Sequence, residues 1–76
     1  MNKKRREKLR EAIDHLDQAV VIVERVKDEE QESMENLPEN LQESDLCSAM
    51  EAAVDALDDA IDSIGEAHES IEQACK

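Results

Sequence analysis

The stretch from Cys47 to Cys75 constrains the fold most. Cys47, Met50, Val54, Leu57, Ile61, Ile64, His68, Ile71 and Cys75 follow one another at alternating steps of three and four. That spacing fills the a and d positions of consecutive heptads, so one stripe of an α-helix is apolar along its whole length. Ala53, Ala60, Ala67 and Ala74 fall on the adjoining g position and widen the stripe to three residues per heptad, the breadth of a helix inside a bundle.

The first half of the chain repeats the pattern. Leu9, Ile13, Leu16, Val20 and Val23 hold the same three-four alternation, with Ala12, Ala19 and Val26 at g. Lys27 and Glu30 then take the next a and d places before Met34 and Leu37 restore apolar character, so this end of the helix is expected to be looser, or polar where subunits meet. Val21 and Ile22 lie off the stripe and suggest a second contact surface. With no Phe, Tyr or Trp, one glycine and one proline in 76 residues, the chain has neither the aromatic side chains nor the turn chemistry of a sheet protein. A single all-α domain follows, residues 1–76.

The two runs are separated by Asn36-Leu37-Pro38-Glu39-Asn40-Leu41-Gln42-Glu43-Ser44. Pro38 disfavours helical geometry at Leu37, Asn36 suits a left-handed C-terminal position, and Ser44 suits the N-cap of the second helix, where Asp45 meets the positive end of the dipole. The expected elements are helix one over 3–36, a turn over 37–44 plugged by Leu37 and Leu41, and helix two over 45–75. Gly65, at an interior e position, reads as a surface glycine costing ~1 kcal/mol relative to alanine. Two stripes facing only each other leave their flanks wet, while ordering a chain of this size costs on the order of 100 kcal/mol of conformational entropy. The antiparallel hairpin is therefore expected to assemble into a four-helix bundle, as a dimer or a higher even-numbered oligomer. Its core would be Leu9, Ile13, Leu16, Val20, Val23, Met50, Val54, Leu57, Ile61, Ile64 and Ile71.

The net charge of −12 is unevenly placed. Residues 1–10 hold Lys3, Lys4, Arg5, Arg6, Lys8 and Arg10 against Glu7, a balance of +5, and the remaining residues carry −17. An acidic body repels nucleic acid and anionic membranes, so direct binding to either is not expected; a basic arm attracts phosphate, a carboxylate-rich partner or the chain's own acidic end. In an antiparallel hairpin that end is Glu66, Glu69 and Glu72, and mutual neutralisation with the arm is expected.

The basic start lacks the apolar segment of an export signal, and no run reaches the ~18 apolar residues of a membrane span. A cytoplasmic protein with reduced thiols is the expectation. Cys47 and Cys75, ~42 Å apart along one helix, cannot bridge within the chain; an intersubunit disulfide is the other reading. His15 sits on an exposed c position, and His68 in the seam reads as a satisfied interior histidine. Glu-x-x-His pairs, an EF-hand loop, a Gly-rich phosphate loop and CxxC are all missing. No catalytic residue, metal or cofactor is expected, and the chain reads as a non-enzyme.

The Asn36-Leu37-Pro38-Glu39-Asn40-Leu41-Gln42 turn, the Ser44 that follows it and the acidic, alanine-rich "MEAAVDALDDAIDSI" helix resemble a group of small helical-hairpin proteins encoded by phages and prophages of Gram-positive bacteria. The resemblance extends loosely over most of the chain, with Leu46 and Cys47 where related sequences often carry an aromatic. It implies a phage accessory protein in the host cytoplasm, acting against a host system by binding and sequestration. Two mechanisms are compatible with the charge pattern. Lys3, Lys4, Arg5, Arg6, Lys8 and Arg10 could capture a nucleotide or other phosphate ligand at a helix N-terminus. Alternatively, the acidic faces could imitate nucleic-acid charge and occupy a basic groove of a host protein. A purely structural oligomerisation module is the third reading.

Overall fold

The computed structural model describes all 76 residues as two long antiparallel helices. α1 spans Lys3–Glu35 and α2 spans Asp45–Ala74, joined by a single 3-10 turn at Glu39–Leu41. α2 starts as its sequence dictates: Ser44 is extended, and its Oγ accepts from the Cys47 N–H at 3.3 Å, satisfying one of the orphan donors of the first turn. The same hydroxyl donates to the Leu41 carbonyl at 2.6 Å, which ties the helix start to the corner.

α1 ends differently from expectation. Asn36 adopts φ −91° and ψ 5°, and no residue of the chain has a left-handed backbone. The final carbonyls are met instead by a tightening of the last turn, with the Asn36 N–H donating to Glu32 and the Leu37 N–H to Met34. Pro38, at φ −55° and ψ 150°, turns the chain away. The Leu41 N–H donates to the Pro38 carbonyl at 2.8 Å, and Gln42 Nε2 closes the corner on the Leu37 carbonyl at 2.7 Å. With a proline to enforce extension and a glutamine to satisfy the freed carbonyl, a left-handed cap is unnecessary. Leu37 and Leu41 are half-buried in this corner.

Register follows from two cross-helix pairs. Lys27 meets Asp58 and Asp17 meets His68, and the residue numbers of both pairs add to 85. Arg10 therefore stands opposite Cys75, and the earlier residues of α1 project past the end of α2 by roughly 10 Å at the helical rise. The chain is a rod of 59 × 15 × 12 Å.

The seam positions predicted from the heptads are those that lose solvent. Leu9, Ile13, Leu16, Val20, Val23, Met50, Leu57, Ile61, Ile64 and Ile71 are half-buried, but only Val54, at 8% exposure, is buried. A radius of gyration of 17.4 Å compares with about 11 Å for a compact domain of this length. The accessible surface of 5731 Å² compares with roughly 4,700 Å² for a compact monomer of this mass. One hairpin thus excludes water from one side of each stripe and leaves roughly 1,000 Å² more surface wet than a closed fold of its size would.

Candidate functional site

Of the six cations in residues 1–10, Lys3, Lys4, Arg5, Arg6 and Lys8 belong to the projecting start of α1. Asn2 initiates the helix: it is extended, and its Oδ1 accepts from the Arg5 N–H at 2.8 Å. This cap holds Lys3, Lys4, Arg5, Arg6 and Lys8 on two regular helical turns rather than on a frayed tail. No acidic residue lies in the first turn, so the cations face the positive end of their own dipole, an arrangement that costs the helix stability.

The expected neutralisation by Glu66, Glu69 and Glu72 does not occur. The contacts between basic and acidic side chains, Lys27 with Asp58 and His68 with Asp17 and Glu72, involve no arm residue, and Glu72 lies 3.1 Å from His68 Nδ1 instead. Register explains it: paired residue numbers add to 85, so Glu66, Glu69 and Glu72 stand opposite residues 19, 16 and 13, away from the arm. Arg10 alone reaches the mouth, in a cleft of about 430 Å³ shared with Ile13, Asp14, Glu72 and Cys75. Arg6 takes the a position ahead of Leu9 and is half-buried; its Nε is covered and unpaired. The remaining arm cations are exposed. With a shallow groove between Met1, Arg5, Lys8 and Leu9, the arm offers several guanidinium and ammonium donors to an anion, without a competing carboxylate in bonding range.

The other polar groups of interest lie in the seam and are satisfied within the hairpin. Lys27, at an a position, donates to Asp58 at 2.6 Å, and that hydrogen bond holds the lysine's pKa above its ordinary 10.5 despite desolvation. The polar break in the first stripe is therefore used inside the chain. His68 lies between two carboxylates, with Nε2 3.3 Å from Asp17 and Nδ1 3.1 Å from Glu72. Asp17 and Asp58 were not singled out from sequence. Both sit at e positions that an antiparallel register sets beside a polar a residue, and that was the available signal.

Cys47 and Cys75 are free and half-buried. No group of three or more His, Cys, Asp or Glu side chains is disposed to hold a metal ion. No helix is long and apolar enough to cross a membrane. Comparison with protein-family models, with curated proteins and with solved structures found no match.

Proposed function

We propose that this protein is a non-catalytic, self-associating binding module that sequesters an anionic phosphate ligand, of the nucleotide class, on the basic arm of α1. The observation that carries the reading is the register: it sets Glu66, Glu69 and Glu72 opposite residues 19, 16 and 13, so five cations stand on ordered helix with no ion pair to any carboxylate of their own chain. Cations so placed destabilise the helix that bears them, and an arriving anion relieves that cost while adding charge-assisted hydrogen bonds. Free N–H groups of the first turn favour the same charge. Self-association is supported by the half-open seam, since a second hairpin completing a four-helix bundle would cover the half-buried apolar stripes. The role of phage accessory protein, suggested by the turn sequence, fits a chain that captures without transforming.

The test is calorimetric titration with inorganic pyrophosphate and with a nucleoside triphosphate. We expect saturable binding that weakens steeply between low and physiological salt, because exposed charges are screened over about 8–10 Å. Replacing Lys3, Lys4 and Arg5 by Ser is expected to abolish capture while leaving helical circular dichroism in place. Absence of binding to either probe at low salt, or capture that survives the triple replacement, would overturn the reading.

A further inference from the structure

The two flanks of the hairpin have opposite character. The e flank carries Asp17, Glu24, Glu51, Asp58 and Glu72, all exposed, and contains the three ion pairs' carboxylates. The g flank carries Ala19, Val26, Leu46, Ala53, Ala60 and Ala67. Its alanines are half-buried apart from Ala74 at the far end, whereas Val26 and Leu46 are 46% and 52% exposed. The two ends of the rod differ as sharply. Residues 28–45, around the corner, hold eight carboxylates and no cation, and the open end holds the basic arm.

We infer that a second copy of this chain packs on the alanine-rich g flank, antiparallel to the first, so that each basic overhang lies against the acidic corner of the other copy. This rests on the self-association proposed above and adds its face and direction. Area is the first argument. The excess of roughly 1,000 Å² per chain over a compact fold exceeds the ~800 Å² that each partner contributes to a standard interface. Shape is the second: alanine along the flank lets two helices approach at the short end of the 8–10 Å interaxial range, and the exposed Val26 and Leu46 supply the larger apolar contacts. Burying the e flank would instead desolvate a row of carboxylates.

Charge decides the direction. Parallel packing would set two basic arms together and two acidic corners together, repelling at both ends. Antiparallel packing places unlike charges at both ends, and the overhang extends where the second copy's corner lies. A phosphate ligand would compete with those carboxylates for the arm, so the test is run without one.

Sedimentation equilibrium gives the mass, and spin labels give the direction. In a Cys47→Ala, Cys75→Ala background, Ser48→Cys places one label at the corner end of α2, on an exposed position. An assembled state with a label-to-label distance of ~40 Å, the span expected from the helical rise when corner ends lie apart, supports the inference. A distance below ~20 Å, set by neighbouring helix axes and label arms, overturns the antiparallel direction and leaves self-association standing. In the unlabelled protein, Val26→Glu is expected to raise the dissociation constant at least ~100-fold with helicity kept, because Val26 is already exposed in the single hairpin; Glu24→Ala is expected to leave it within about twofold. Assembly that survives Val26→Glu overturns the choice of flank. A wild-type chain with a mass of 8.6 kDa overturns self-association together with this inference.

Discussion

The corner end and the open end of this hairpin are made by the same two helices and are held by different forces. At the corner, Ser44 both accepts and donates, Gln42 reaches the Leu37 carbonyl, and Leu37 and Leu41 lose solvent together. At the open end, Asn2 supplies one exposed cap bond, and α1 runs on alone. Negative charge gathers where the backbone is densely bonded, and positive charge gathers on the first turns of α1, where no ion pair forms. A basic run in an acidic chain therefore need not be an internal counter-charge. Register decides, and here register places the cations out of reach.

Three variants test this contrast. Ser44→Ala removes a partly buried group with two bonds, and about 1–2 kcal/mol of hairpin stability is expected to go with it; Asn2→Ala, at the exposed end, is expected to fray the arm with little effect on the global transition. Urea unfolding followed by circular dichroism compares them, and equal losses would mean that the two ends are held alike. Next in size is Lys3→Glu with Lys4→Glu, which swaps repulsion by the dipole for attraction. At a dilution where the hairpin is a monomer, thermal unfolding is expected to show a gain of about 1 kcal/mol, while pyrophosphate binding disappears. A double variant destabilised at that dilution would show that the arm cations have partners within their own chain.

The smallest effect concerns Lys27, midway between the ends. Its pKa is raised in the folded chain, chiefly by the hydrogen bond to Asp58. A cation whose folded pKa lies above its unfolded value contributes stability that is complete below the unfolded pKa, near 10.5, and is lost as pH climbs through the folded one. The melting temperature of the wild type is expected to fall more steeply than that of Lys27→Met between pH 10 and pH 12. Parallel slopes would remove Lys27 from the seam's energetics.

Much of the architecture was legible from residues alone. The heptad positions from Leu9 to Val23 and from Cys47 to Cys75 named the residues that lose solvent, and Ser44 named the start of α2, because periodicity and capping are local and carry their geometry with them. Asn36 was misread because two local solutions compete at a helix end, and the choice between them depended on Gln42, five residues beyond Leu37. The arm was read as pairing with Glu66, Glu69 and Glu72 because antiparallel topology brings two ends together only to within the uncertainty of the register. Lys27 and Glu30 looked like a weak place in the seam, and Asp58, distant in sequence, answered the lysine.

What the sequence determined by itself was two amphipathic helices, their break at Pro38, the breadth of each stripe and the polarity of the charge. Those properties depend on neighbours three, four and seven residues apart. Only packing in three dimensions set the offset between the two helices, and through that offset which charges are paired and which stand free. An offset is a sum over every layer of the seam and over the length of the corner, so no single residue encodes it.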